Sequence, residues 1–187
     1  MTKEKKDENA IVLDYLQHGR VSERGDEAVA EVVGTEYFSI LEVVLRDDVD
    51  VEPGDEVYIG EGKRDEVKYI KKSLDIGELT TTAKDELEVQ IENLIEKNED
   101  KFVNFFNKSG PISPRMHQLE ALPGVGKKHM WEVIDERKVE DFESLEDLKE
   151  RVPLLPEPKK MLKERILDEL RGDTKHYLFT IPKKKHR

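Results

Sequence analysis

Between residues 10 and 74 apolar and polar positions alternate in short blocks: Ala10 to Leu16, Ala28 to Val33, Tyr37 to Leu45, Glu56 to Ile59 and Val67 to Leu74. A period near two, carried by β-branched and aromatic residues, predicts strands. Gly19, Gly25 and Gly34, a Pro53-Gly54-Asp55 turn and a Gly60-Glu61-Gly62-Lys63 tip separate them. Turn chemistry at these points joins neighbouring strands tightly. About five antiparallel strands in ~65 residues predict a small OB-like barrel, with an SH3-like barrel or a half-open sheet as alternatives.

The period then changes. Leu87, Ile91, Leu94, Ile95, Phe102, Phe105 and Phe106 recur at three- and four-residue steps, which predicts one helix from Thr82 to about Asn107 with a buried stripe. Thr82 would cap it, with Asp85 in the position that a capping box gives to Glu or Gln. Gly110-Pro111 ends it. Beyond Pro114 the apolar positions predict four short helices: one through Met116 and Leu119, then Lys127 to about Arg137, Ser144 to Val152, and Pro158 to Leu170.

The expected fold class is therefore α+β: a small N-terminal antiparallel β-barrel, OB-like, followed by a long helix and a C-terminal helix-hairpin-helix bundle. The expected boundaries are a disordered N-terminus over 1–9, the barrel over 10–76 and a connecting helix over 80–109. The hairpin domain follows over 110–172, and residues 173–187 form an extension with a basic tail, Pro182 to Arg187.

Composition narrows the function classes. The absence of cysteine excludes disulfides, thiolate metal sites and thiol nucleophiles. The start, MTKEKKDENA, has no apolar core, and no run approaches the roughly 18 apolar residues of a membrane span. The expected location is the cytoplasm, with no membrane partner. The five histidines have no metal-ligand spacing, and no G-x-S-x-G or Walker A sequence is present. Neither metal nor cofactor is expected. Asp47-Asp48 and Asp26-Glu27 fall in turns and read as solvated charge.

The net charge of -11 argues against a protein that coats nucleic acid throughout. Its distribution is uneven. Residues 1–107 carry 14 Lys+Arg against 28 Asp+Glu, net -14, whereas residues 108–187 carry 18 against 15, net +3. With screening over roughly 8–10 Å, a local basic surface in the C-terminal part can act despite distant acids.

The stretch Leu122-Pro123-Gly124-Val125-Gly126-Lys127-Lys128 supplies that surface. Two glycines permit a tight turn and a close backbone approach, and the open N–H groups of the next helix, with its dipole, suit an anion. Lysines add charge without reading bases. Gly124, Val125, Gly126, Lys127 and Lys128 are the candidate nucleic-acid contacts. Lys159 and Lys160, after a proline-rich second joint, form a weaker site, as do Tyr58, Lys63 and Arg64 on the barrel beside Lys68 and Tyr69. Phe102, Phe105, Phe106 and Trp131 read as core or interface.

Leu122 to Gly126 resembles the helix-hairpin-helix motif of nucleic-acid-binding proteins, apolar-Pro-Gly-apolar-Gly, at every position. Met130 stands where that family carries a small residue, which implies a wider helix pair. Residues 10–180 are also similar to the archaeal domain-of-unknown-function family 655, described as candidate RNA-binding proteins. Pro53 to Gly60 with Lys63-Arg64, the hairpin with His129-Met130-Trp131, and Phe142 to Leu148 carry that likeness. It implies an OB-like domain before a helix-hairpin-helix domain, and work near RNA or translation.

The expected function is non-catalytic binding of nucleic acid, RNA ahead of DNA. One alternative is a scaffold that docks transcription or translation proteins. The other is a glycosylase/lyase in which Lys128 would be the Schiff-base lysine, as in the helix-hairpin-helix glycosylases that this stretch resembles; that chemistry also needs an aspartate about twenty residues on. The oligomeric state is open.

Overall fold

The β-branched runs become strands in the computed structural model, which describes residues 3–23 and 25–183. They are β1 (Asn9–Leu16), β2 (Val29–Gly34), β3 (Ile40–Leu45), β4 (Glu56–Tyr58) and β5 (Val67–Ser73). Every pairing is antiparallel, in the order β4-β1-β2-β3-β5. β4 and β5 are the edges, so the sheet curls into a half-barrel. Bulges between Val12 and Asp14 in β1, and at two places along the β3–β5 pairing, bend it. Inside the curl, Ala10, Val12, Ala30, Val32, Val43, Leu45, Val57 and Val67 form one apolar cluster.

The other face carries a polar row that interrupts the valines of β2 and β3. Asp14, Glu31, Glu42 and Lys72 are successive cross-strand partners. Glu31 and Glu42 are fully buried. From the β1–β2 connection Arg20 reaches both: its Nε donates to Glu42 Oε1 at 2.7 Å, and its Nη2 to Glu31 Oε2. Thr80 N donates to Glu31 Oε1 at 2.9 Å, and Thr80 Oγ1 to Asp14 Oδ2 at 2.6 Å. Buried carboxylates are tolerated only when paired in this way. The N-terminal segment is anchored too: buried Asp7 accepts from Glu36 N, Tyr37 N and Ser39 N.

The helical part begins with α1 (Thr81–Lys97) and α2 (Glu99–Lys108). The single helix expected over 82–107 is thus two, divided at Asn98, which leaves the helical conformation at φ -111 and ψ 34 while its N–H and Nδ2 both donate to Leu94 O at 3.0 Å. The N-cap is Thr80 rather than Thr82: Thr80 Oγ1 accepts from Ala83 N at 3.1 Å. The apolar stripe is buried as expected, with Phe105 half-exposed.

No α-helix runs through Met116 and Leu119. Pro111–Ser113 (β6) pairs with Met116–His117 (β7), and Gln118–Ala121 forms one 3-10 turn. Ser113 precedes Pro114 and is held extended, which favours the ribbon. Then come α3 (Lys127–Val139), α4 (Leu145–Arg151) and α5 (Pro158–Arg171).

The chain divides into two compact units. Among the described residues, one holds those up to Ile91 with Glu169–Asp173 and 179–183; the other holds Glu92–Asp168 and Thr174–Leu178. In the second, Arg137 ties α3 to the end of α2, donating to Phe106 O at 2.9 Å and Ser109 O at 2.8 Å. Arg165 donates to Ala121 O at 2.9 Å and so fixes the end of the 3-10 turn. Among the described residues no helix is long and apolar enough to cross a membrane. Of the expected basic tail, Lys184 to Arg187 lie outside the described residues, as do Met1 and Thr2 of the N-terminus.

Candidate nucleic-acid interface

The bend at 122–126 lies in the second unit and is set by one glycine. Gly124 has φ +77, and a Cβ there would stand 2.9 Å from Pro156 Cγ, so both conformation and packing require its bare backbone. Gly126 differs from expectation. Its φ is -95, which any residue adopts, and a Cβ there would meet nothing within 4 Å.

The consequence at Gly126 is chemical. It is the N-cap of α3, a position where Ser, Thr, Asp or Asn would satisfy the first-turn amides, and no side chain caps α3. Met130 N donates the first helical bond, to Gly126 O at 3.0 Å. The amides of Lys127, Lys128 and His129 therefore lie ahead of the ladder. By contrast Val125, also a candidate contact, is buried and its amide donates to Leu122 O at 3.2 Å.

Gly124, Gly126, Lys127 and Lys128 are exposed. Lys127 Nζ lies 3.0 Å from Glu120 Oε1. That carboxylate also accepts from His117 N at 2.8 Å; this hydrogen bond first and Lys127 second hold Glu120 below the ordinary carboxylate value. Lys128 makes no ion pair among the described residues. The first turn of α3 has no acidic residue, so two ammonium groups stand at the positive end of a helix dipole with one paired counter-charge, Glu120, between them. His129 Nδ1, one residue on, is buried without a hydrogen bond, 3.5 Å from Glu132 Oε2.

The approach to the bend carries a pH-sensitive element. His117 Nδ1 accepts from Leu119 N at 3.1 Å and caps the 3-10 turn. Burial, then the charge of Arg137, lowers the imidazole pKa from its ordinary 6.5. A lowered folded value favours the neutral ring, so its contribution to stability is present above about 6.5 and is lost as pH falls through the folded value. An NMR titration should show the His117 ring protonating at lower pH than a histidine in a short peptide, with the protection factor of the Leu119 amide falling over the same range. A midpoint at or above the peptide's would refute it.

The weaker sites are more heavily engaged. At the start of α5, Glu157 Oε2 accepts from Lys160 N at 2.8 Å and caps the helix, while Lys159 pairs with Glu96. On the half-barrel, Tyr58 OH accepts from Gly62 N at 3.0 Å and Arg64 Nε donates to Gly60 O at 2.7 Å. Lys63 stands 4.0 Å from Asp65. Lys68 and Tyr69 both reach Glu27. Tyr58 and Arg64 line a groove of about 770 Å³, whose rim mixes Lys3, Lys5 and Lys6 with Glu4, Glu36 and Glu61. That mixture gives no preference for a polyanion. Asp147, the acid nearest in sequence to the spacing a Lys128 lyase would need, accepts from Glu143 N at 3.0 Å and pairs with Arg151 at 3.3 Å.

Of the core-or-interface reading given to Trp131, the core half is excluded: the residue is 54% exposed. Met130, Val133 and Ile134 form the buried stripe of α3. At about 100° per residue Trp131 falls well off that stripe.

Comparison with known proteins gives three matches. The family model described as "Protein of unknown function (DUF655)" matches residues 6–181. The uncharacterised protein MJ0038 of Methanocaldococcus jannaschii is 40% identical over 177 residues, which span 94% of this chain and 80% of that one. The crystal structure of Af1531 from Archaeoglobus fulgidus superposes with a TM-score of 0.85 at 44% identity, over 94% of this chain and all of that one. A family match over nearly the whole length, with relatives this similar, means that the chain belongs to the DUF655 family of proteins of unknown function.

Proposed function

We propose that this protein binds nucleic acid without chemistry, RNA in preference to DNA, by holding the phosphate backbone at the Gly124–Lys128 bend. The reading treats the bend as a helix-hairpin-helix whose leading helix is reduced to a 3-10 turn, and the half-barrel as an OB-like module. One observation carries it: α3 starts with no capping side chain, no acid in its first turn, and exposed Lys127 and Lys128. A chain selected for stability alone would place Ser or Asp at the cap and acids behind it. A phosphodiester supplies the missing acceptor and the missing charge together.

Contacts of this kind grip without reading sequence. Filter binding of the full chain to a structured RNA and to duplex DNA, repeated across salt concentrations, tests the proposal. For a grip on two or three phosphates, the logarithm of affinity should fall against the logarithm of salt with a slope of about -2. No binding at low salt, or a slope near zero, would overturn it.

A further inference from the structure

An exposed tryptophan is unusual, because its large apolar surface is normally covered by the protein. Trp131 is the chain's one tryptophan, and it lies one turn into α3, three residues after Lys128 and four after Lys127. Residues at those spacings share one side of a helix. Long helical side chains also lean toward the helix N-terminus, so the indole belongs to the same surface as the uncapped first turn. The next residues on that side are Asp135 and Lys138, both exposed. The surface is thus an aromatic plane beside two cations and open amides, with Glu120 paired to Lys127 and the acids Glu132 and Asp135 farther along the helix.

A phosphate grip has no use for an indole, but a nucleic acid with a free base does. Every base has a π-face, and stacking on an aromatic side chain is worth about 1–3 kcal/mol per base. Bases inside a duplex are already stacked and cannot reach a side chain. RNA recognition accordingly favours loops and bulges, whose bases can splay out. The charge pattern fits the same ligand, since the backbone leading to the splayed base would cross Lys127 and Lys128.

We propose that Trp131 is a stacking platform, and that the ligand at the bend is a structured RNA with an unpaired nucleotide next to the gripped backbone. The inference rests on the reading of the bend as a phosphate contact.

The single tryptophan makes a direct test possible in the full chain. Intrinsic fluorescence is followed while titrating a stem–loop RNA, and then the same stem as a continuous duplex. The stem–loop should quench Trp131 and the duplex should not. Trp131→Ala should weaken stem–loop binding about tenfold and leave duplex binding unchanged, whereas Trp131→Phe should retain most of the affinity. Because the side chain is exposed, circular dichroism of the alanine variant should match the parent.

Equal quenching by both RNAs, or a stem–loop affinity indifferent to Trp131→Ala, would overturn the proposal; the latter would make Trp131 an anchor for another class of molecule. The two readings separate through Lys128→Glu. Binding weakened about tenfold by Lys128→Glu but unaffected by Trp131→Ala sinks only the stacking proposal. The reverse result keeps the aromatic contact and removes the phosphate grip.

Discussion

Arg20→Met is expected to destabilise the protein by about 3–5 kcal/mol, the loss typical of removing one partner from a buried ion pair. The guanidinium is only 17% exposed and is shared between Glu31 and Glu42, which are cross-strand partners with no exposed surface. Without it two carboxylates would face each other in the protein interior. Burial already pushes the Glu31 carboxyl up, with the Thr80 amide and Arg20 acting against it. The Lys72 ammonium, 3.9 Å from Glu42 Oε2, gives partial relief.

The pH dependence has a definite sign. In the variant the folded pKa of Glu31, already raised by burial, loses the opposing charge of Arg20 and rises further, so stability is present below the unfolded pKa of about 4.3 and is lost as pH rises through the folded value. Urea denaturation should therefore show the gap between variant and parent closing toward acid pH. Arg20→Met combined with Glu31→Leu and Glu42→Leu should recover most of the loss, since an apolar replacement of a whole buried network is often neutral. A loss below about 1 kcal/mol for the single variant would mark the network as no more than a surface pair.

The sheet was legible because its signal is local. All five strands lie where β-branched alternation places them, with ends displaced by no more than three residues. The polar row was visible too, as a lone glutamate inside each of the runs Val29-Ala30-Glu31-Val32-Val33 and Ile40-Leu41-Glu42-Val43-Val44. A charge within an otherwise buried strand announces a partner, although Arg20 could be named only from the fold.

The helical half was less legible for reasons that differ by residue. Asn98 ends α1 inside a continuous apolar stripe, its short amide sharing Leu94 O with its own backbone N–H, which periodicity does not register. Met116, Leu119 and Leu122 recur every three residues, a spacing that suits a 3-10 turn as well as an α-helix. In the candidate site, Lys127 and Lys128 are exposed as expected, but the two glycines serve different ends. Gly124 is required by the backbone, while Gly126 matters for the side chain it withholds. Only dihedral angles separate those roles. Trp131 needed no structure: its wheel position alone sets it apart from Met130, Val133 and Ile134.

Reversing the two lysines should separate binding from stability. Lys127→Glu with Lys128→Glu is expected to lower RNA affinity at least a hundredfold at low salt and to bring the salt slope toward zero. Folding should respond in the opposite sense. A glutamate in the first turn of a helix complements the dipole that a lysine opposes, a gain of about 0.3–1 kcal/mol at low ionic strength. Lys128 gives the cleaner reading, because reversing Lys127 also sets a carboxylate against Glu120, its present partner at 3.0 Å. Lys128→Glu alone should thus keep or raise the melting temperature while binding weakens by about tenfold. Lys84→Glu with Lys149→Glu, at two exposed positions, changes net charge by the same amount and serves as the control for general repulsion. If that pair weakened binding equally, the attraction would belong to overall charge rather than to the bend. If the hairpin variant lost binding only because it unfolded, its melting temperature would fall instead of holding.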